Sequence, residues 1–435
     1  MSQRKFYPTH CWVPQGCFDI VPRHADKDEN YAQLLNDEAA KARRDLQAAR
    51  AAAAGQSGGE VMDADAGGDA ENEAPDDDAE DIDDIQPADA DAADDGTDDE
   101  EDDEDEDSKL VPTDNLVVVA QVQQNQGISE AQIHVYNEPN KQFYEHRCFY
   151  LDSMPLCFEF VGRGGHLLAI GRMEQSIQLW DLDLIEALLP SVQLEGHKDA
   201  VLDVSWNPRS PQALASASAD KSVGLWDLDA KRCVRMLDKL HSDKVQCLAW
   251  HPQEPHLLLT GGYDSTVRLS DCRAPQQQQQ QSASSASSAP AAGSAPSWRL
   301  DGECERLVWD SRNPFFLMAS TERGSVQRCD ARAPGAPVST LTAHDGACSG
   351  LCLTDSGLLC TGGADGLVRL WRSNPDGEWK SLANRNWNIG EVTKLTVNPD
   401  CQCVLGITGL TGFQVWDVRE HAKAREYLRT RGVPV

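Results

Sequence analysis

A short strand-like segment, IQLWD in its fullest form, recurs seven times along this chain of 435 residues. The positions equivalent to its tryptophan are Tyr136, Trp180, Trp226, Ser270, Cys329, Trp371 and Trp416. They are separated by 44, 46, 44, 59, 42 and 45 residues. A fixed period of this length is typical of one supersecondary unit repeated in an array, so the repeat restricts the fold more than any other feature.

Each period contains further strand-like segments before the recurring one. An alternating segment that ends in a proline turn comes first, as in VLDVSWNP up to Pro208 and VQCLAWHP up to Pro252. A small-residue segment with a tight turn follows, as in LASASAD and LLLTGGYD. Alternation with period two favours strands over helices. With a fourth strand from the linking residues, each period predicts one four-stranded blade.

The predicted fold class is therefore all-β: a seven-bladed WD-repeat β-propeller over residues 109–435. The spacing of 59 contains the run QQQQQQSASSASSAPAAGSAP, and the pattern predicts a low-complexity linker at residues 275–297 inside the propeller.

The first repeat has no first strand directly before it. Trp12 and Pro14 repeat the spacing of Trp206 and Pro208, so residues 1–16 are predicted to supply the missing piece, with Cys11–Pro14 as the inner strand of blade one. Residues 17–108 would then be an insertion within that blade. Two alternatives stay open: an outer strand that closes the ring, or a plain extension.

The insertion has two parts with different compositions. Residues 28–52 are rich in Ala, Leu, Glu, Arg and Gln, which predicts a helix with a modest apolar stripe. Residues 60–107 contain 27 Asp and Glu and no Lys or Arg, and account for most of the net charge of −32. Such a tract cannot bury enough apolar surface to fold, so residues 53–108 are predicted to be disordered. It is either an arm for basic partners such as histones or ribosomal proteins, or a solubilising spacer.

A histidine, a hydroxyl and an aspartate recur together in the repeats. In blade three they are His197, Ser216 or Ser218, and Asp220, followed by Trp226. The equivalent residues elsewhere are His241, Asp264, His344, Asp365 and Trp371. Because a catalytic triad occurs once per site whereas this set recurs from blade to blade, it predicts a structural hydrogen-bond network and no enzyme.

Other chemical signatures are weak. The 14 cysteines form no paired CxxC knuckles, which argues against zinc, and Gly362–Gly366 precedes no helix that could bind phosphate. We expect no cofactor and no small-molecule substrate. The chain contains no apolar stretch of 18 residues and no signal-peptide pattern, which predicts a cytosolic or nuclear protein without membrane insertion. No Lys/Arg stripe marks an RNA surface, and basic residues near the C-terminus are predicted to lie on a solvated helix.

Two single residues carry further hypotheses. Thr97 precedes three acidic residues, the setting that acid-directed kinases prefer, and is a candidate phosphosite. Arg419 follows a WD pair by two residues, as in substrate receptors of cullin-type ubiquitin ligases, and is a candidate adaptor contact. Asp-x-Arg also occurs at Asp271–Arg273 and Asp330–Arg332, so a structural salt bridge at the blade edge is the simpler interpretation.

Several segments together resemble the nucleolar WD-repeat member of the periodic tryptophan protein family. They are CWVPQG, the acidic insertion, PTDNLVVVAQV, AQIHVYNE, LEGHKDAVLDVSWN, LASASADKSVGLWD, HSDKVQCLAWHP, GGYDSTVRLSDCR and ERLVWD. The resemblance covers nearly the whole chain apart from the Gln/Ser/Ala linker.

The resemblance implies a nucleolar factor in ribosome biogenesis, associated with large-subunit precursors, maturing ribosomal RNA, and chromatin at ribosomal DNA. We therefore expect pre-ribosomal proteins, and pre-rRNA with them, as partners. The alternatives are a histone-binding regulator that uses residues 60–107, and a ubiquitin-ligase substrate receptor.

Overall fold

The structure is a computed structural model that describes residues 5–18, 23–55, 110–123, 126–162, 166–274, 295–373 and 378–434. The chain divides into two compact units, Met1–Tyr31 with Leu110–Val435, and Ala32–Lys109. The first unit contains every described strand. The predicted disorder of the acidic tract lies outside the described residues, except at 53–55, where the prediction was wrong because the helix continues to Gly55. None of the described helices is long and apolar enough to cross a membrane.

The propeller has seven antiparallel sheets, which confirms the predicted fold class. Blade one contains β1 (Lys5–Phe6), β2 (His10–Val13), β4 (Asp114–Gln123), β5 (Ile128–Asn137) and β6 (Gln142–Leu151). Blade two contains β7 (Pro155–Gly162), β8 (His166–Arg172), β9 (Ile177–Asp181) and β11 (Val192–Leu194). Blade three contains β12 (Val201–Trp206), β13 (Ala213–Ser218), β14 (Val223–Asp227) and β15 (Arg232–Leu237).

The remaining blades follow in chain order. Blade four contains β16 (Val245–Trp250), β17 (Leu257–Gly262), β18 (Thr266–Asp271) and β19 (Ser297–Arg299). Blade five contains β20 (Cys304–Trp309), β21 (Phe316–Thr321), β22 (Ser325–Asp330) and β23 (Ser339–Thr342). Blade six contains β24 (Gly350–Leu353), β25 (Leu358–Gly362), β26 (Leu367–Ser373) and β27 (Trp379–Asn386), and blade seven β28 (Val392–Val397), β29 (Val404–Gly409) and β30 (Gly412–Asp417). Ser297, assigned to the linker from sequence, is therefore the first residue of a strand.

Strand β2 lies in the first blade, although about a hundred residues separate it from its neighbour. It pairs antiparallel with β4, with His10 opposite Val119 and Val13 opposite Leu116. The strand begins at His10 and ends before Pro14, which has no N–H to donate. In blade three, β12 has the same relation to β13.

The chain between β2 and β4 first follows the propeller. β3 (Arg23–His24) pairs in parallel with β10 (Leu184–Ile185), and a 3-10 turn over Ala25–Lys27 leads into α1 (Glu29–Gly55). The helix thus starts one residue later and ends three residues later than predicted. Tyr31 is buried, and its hydroxyl accepts hydrogen bonds from the backbone N–H groups of Leu188 and Leu189.

The first strands of the seven blades lie next to one another in a closed ring, in the order β2, β7, β12, β16, β20, β24 and β28. The core lies between neighbouring blades. Val204 of blade three, for example, packs in one cluster with Cys157 of blade two and Trp226. Each fully buried aliphatic or aromatic side chain contributes about 1.5–3 kcal/mol, so the ring depends on all seven interfaces.

Candidate functional site

The recurring histidine, hydroxyl and aspartate of blade three form a buried set that we call the His–Asp clasp. The His197 ring lies with Nε2 2.6 Å from Ser216 Oγ and Nδ1 3.0 Å from Asp220 Oδ2. The indole Nε1 of Trp226 donates to the same Ser216 oxygen at 2.8 Å. Ser218 is not part of the set, because its hydroxyl bonds to the backbone oxygen of Ala200 at 2.9 Å.

Blades four and six contain the same clasp. His241 lies 3.0 Å from Asp264 and 2.8 Å from Thr260 Oγ1. In blade six, His344 lies 2.9 Å from Asp365 and 2.8 Å from Thr361 Oγ1, which also accepts from Trp371 Nε1 at 2.9 Å. Sequence reasoning missed both threonines. Their position four residues before each aspartate, where Ser216 also stands, is the signal that could have identified them.

The electrostatics of the clasp indicate an ionised aspartate. Burial by itself raises the pKa of Asp220, but hydrogen bonds from His197 and Ser222 hold that pKa well below its usual range. At Asp264, burial likewise raises the pKa of the carboxyl, but hydrogen bonds from His241 and Thr266 outweigh this effect and hold the pKa well below its usual range. Burial lowers the pKa of His344 and favours its neutral ring.

The clasp uses the hydroxyl fully. With Nδ1–H donated to Asp220, Nε2 of His197 accepts from Ser216, and the Ser216 oxygen accepts from Trp226. Ser216 is also completely buried, so no substrate carbonyl reaches it. The arrangement ties a loop, a turn and two strands together and gives these groups a structural role.

Blade-to-blade hydrogen bonds at the centre of the ring are a second polar feature, which the sequence reading missed. Glu159 Oε1 accepts from the Trp206 N–H at 3.1 Å, and Asp203 Oδ2 accepts from the Leu248 N–H at 3.0 Å. Arg306 Nη1 lies 3.7 Å from Asp203 Oδ1. Asp203 and Arg306 are each the third residue of an inner strand, and a charge inside such an apolar strand was the available signal.

The junction between blades seven and one, where the ring closes, is polar as well. His10 is fully buried and contacts the hydroxyls of Thr408 and Thr396, the latter at 2.6 Å from Nε2. Burial lowers the pKa of His10 well below its ordinary value, which favours a neutral ring. The side chain of Asn115 donates to Asp400 at 2.7 Å and fixes β4 to the same blade.

Arg419 also lies at this junction. Its guanidinium donates to Asp417 at 2.8 Å and to Glu138 of blade one at 2.7 Å. Asp271–Arg273 and Asp330–Arg332 form the same local ion pair at 2.9 and 2.8 Å. The geometry favours the structural interpretation of Asp-x-Arg, and the adaptor contact stays a prediction.

Thr97 and residues 60–107 lie outside the described residues. Within the parts of the chain that the structure describes, no group of three or more His, Cys, Asp and Glu side chains is arranged to hold a metal ion. The glycines at 362–366 form the turn against the blade-six clasp, where a Cβ on Gly363 would come within 2.4 Å of the His344 ring.

Comparison with known proteins agrees with this architecture. The family described as WD domain, G-beta repeat matches residues 189–227, 231–271 and 335–372. Each match ends on the last residue of a third strand or within it.

Three relatives extend the similarity over most of the chain. The periodic tryptophan protein 1 homolog of Drosophila melanogaster is 31% identical over 324 residues, which cover 70% of this chain and 67% of the relative. An uncharacterized WD repeat-containing protein of Schizosaccharomyces pombe is 34% identical over 74% of this chain and 65% of its own length. Periodic tryptophan protein 1 of Saccharomyces cerevisiae is 26% identical over 74% and 66%. The chain spans about two thirds of the length of these relatives, and it belongs to the periodic tryptophan protein 1 family.

Proposed function

We propose that this WD-repeat scaffold is a non-catalytic, nucleolar factor that assembles large-subunit ribosome precursors and takes part in the processing of their RNA. The observation that carries the proposal is a propeller of this family whose first-blade insertion includes, at residues 60–107, 27 acidic residues and no basic ones. Ribosomal proteins are strongly basic, and a polyanionic arm attracts them over a longer range than direct contacts reach.

Both ends of the insertion are held by blade one. Phe18 and Leu110 are buried in the same apolar cluster, together with Val13 and Leu116. The insertion is therefore tethered to the propeller at both of its ends. A tether of this kind raises the effective concentration of a captured basic protein near the propeller surface.

Affinity capture of the intact chain from nuclear extract, with RNA sequencing and mass spectrometry of the bound material, tests this proposal. We expect precursors of large-subunit rRNA together with large-subunit proteins. A matched variant, with every Asp and Glu in residues 60–107 replaced by Asn and Gln, keeps the tract's length and should recover less of the basic proteins. Recovery of a cullin adaptor that Arg419→Ala abolishes, without pre-rRNA, would favour the ligase alternative instead.

Histone binding at ribosomal DNA is the second candidate, and the same acidic tract favours it. Purified core histone dimers and a purified basic ribosomal protein should be titrated separately onto the intact chain and onto the Asn/Gln variant. Tighter binding of histones, together with capture of core histones without pre-rRNA, would replace the assembly role by the chromatin role. Because exposed charges are screened beyond about 8 Å at 0.15 M salt, both titrations belong at physiological ionic strength.

A further inference from the structure

Blade seven differs from the other six in its number of strands. Blades one to six each have a fourth strand on the outside, whereas among the described residues no strand pairs with the outer side of β30. The chain leaves β30 at Asp417, forms a 3-10 turn over Val418–Glu420 and continues into α2 (Ala422–Thr430).

The C-terminal helix packs towards blade six and does not add a strand to β30. Ala424, Tyr427 and Leu428 are buried, and the Tyr427 hydroxyl donates to the backbone oxygen of Gly357 at 3.4 Å. No described strand of this chain therefore takes the position that a fourth strand occupies in the other blades.

The register of β30 identifies the free hydrogen-bonding groups. The Val418 N–H donates to the Cys403 oxygen across the β29 side, so alternation along an antiparallel ladder directs the N–H and C=O of Phe413, Val415 and Asp417 outward. In blade three the equivalent residues, Val223, Leu225 and Asp227, pair with β15. None of the hydrogen bonds found within the described residues involves the outward backbone groups of β30.

Blade seven also lacks the clasp that completes blade three. Ile407 stands where Ser216 stands in blade three, and the buried indole Nε1 of Trp416 has no hydrogen-bond partner among the described residues. Trp387 packs edge-on against Trp416 at 5.9 Å between ring centroids, and its own Nε1 is equally unpartnered there. Both indole N–H groups are buried, so they set blade seven apart from blade three but are not themselves contacts for an outside group.

The two sides of this edge differ in chemistry. On one side Phe413 contacts Phe143 of blade one, and their ring centroids are 5.7 Å apart. Phe143 is 40% exposed. On the other side the guanidinium of Arg385 lies 3.6 Å from the Trp387 ring centroid, and its Nη1 lies 3.7 Å from the exposed Glu420 carboxylate, which a bound carboxylate would displace. Residues 418–434 add five basic residues against two acidic ones. The edge therefore combines an apolar side with a positively charged side.

We propose that the outer edge of β30 binds an extended segment of a partner protein, with apolar residues alternating with Asp or Glu, as the fourth strand of blade seven. Strand addition takes affinity from main-chain hydrogen bonds and specificity from alternate side chains. Apolar residues would meet Phe413 and Phe143, and carboxylates would meet Arg385. The proposal concerns this edge alone and does not depend on the nucleolar role.

The direct probe is the acetylated and amidated peptide DVEIDVE, titrated onto the full chain by calorimetry. We expect saturable binding at one site, and amide exchange at Phe413, Val415 and Asp417 that slows by about tenfold or more when the peptide is bound. The lysine counterpart, KVKIKVK, should bind at least about tenfold more weakly, because it would place positive charges beside Arg385.

Two variants and one control locate the site. Val415→Pro removes an outward N–H at an edge position where proline is tolerated, and Arg385→Glu reverses the charge; each should weaken binding about tenfold. Arg299→Glu, an exposed arginine on the fourth strand of blade four, makes the same charge change elsewhere and should leave binding unchanged. Thermal melting checks that each variant is folded. If Val415→Pro does not fold, the binding measured with Arg385→Glu tests the proposal alone.

Three results would overturn the proposal. Binding that neither Val415→Pro nor Arg385→Glu weakens would place the peptide elsewhere. Slow exchange at Phe413, Val415 and Asp417 in the free chain would mean that this chain fills its own edge. If sedimentation shows dimers that the peptide dissociates, the edge of β30 binds a second copy of this chain and not a partner protein.

Discussion

At the scale of single residues, the buried polar groups of the propeller serve packing. Ser216 joins His197 to Trp226, and Glu159 joins blade two to blade three. The two differ in their electrostatic cost. Ser216 is fully satisfied, whereas Glu159 carries a charge into an interior position, where burial outweighs nearby Lys394 and raises the pKa of the carboxyl to about 7.

Replacing Ser216 by alanine should destabilise the propeller. The change leaves His197 Nε2 and the Trp226 N–H buried without a partner, and each unsatisfied group costs about 1–3 kcal/mol. Urea unfolding followed by tryptophan fluorescence measures the loss. Ser242→Ala, at an exposed position before β16, is the matched control, and equal midpoints for the two variants would contradict the structural role of the clasp.

Glu159→Gln should make the protein more stable at high pH. A carboxyl whose pKa is raised on folding resists ionisation, so wild-type stability falls as pH rises from about 4.5 through about 7. Glutamine keeps an oxygen for the Trp206 N–H but does not ionise. The gain should be on the order of 1–3 kcal/mol at pH 8 and vanish near pH 4, as read from urea midpoints at both pH values. A gain of the same size at both would exclude ionisation as its cause.

Asp220 gives the opposite pH dependence. Its pKa is depressed in the folded state, so its contribution to stability is complete above the unfolded value of about 4 and is lost as pH falls further. Asp220→Asn should lower stability at pH 7. Below about pH 4, the melting temperature of this variant should fall less steeply with decreasing pH than that of the wild type. Thermal melts from pH 7 to pH 2.5 test this, and an acid limb as steep as that of the wild type would argue against an ionised clasp.

At the scale of elements, β2 is the most consequential strand. It completes blade one and closes the ring against blade seven through the contacts of His10 with Thr396 and Thr408. A four-residue strand of this kind is held entirely by long-range contacts, because its own local preference is weak.

Removal of residues 1–13 should therefore destabilise the whole propeller. The deletion exposes β4 on one side and leaves the Thr396 hydroxyl without its histidine. Circular dichroism should show a melting temperature many degrees lower, or no cooperative transition. Removal of residues 1–4 alone is the control. If the two truncated proteins have the same melting temperature, β2 is dispensable for ring closure.

At the scale of the whole molecule, a folded ring and an inserted acidic segment are separable. The chain leaves the propeller unit after Tyr31 and re-enters it at Leu110. Deleting residues 60–107 removes 27 negative charges and none of the described contacts. The melting temperature should stay within about 2 °C of wild type, whereas binding of basic proteins should weaken, because surface charge governs association more than fold stability.

The amino-acid sequence by itself determined the seven-fold repeat, the strands of each blade and the place of β2 as a candidate inner strand. These follow from alternation and spacing, which are local properties. Only the tertiary structure decided that Ser216, and not Ser218, completes the clasp and that Asp203 meets Arg306 across 103 positions of sequence. It also decided that no described strand pairs with the outer side of β30. The physical reason is that these outcomes depend on how the ring closes. Closure sets the register and the neighbours of residues far apart in the chain, and no local pattern encodes them.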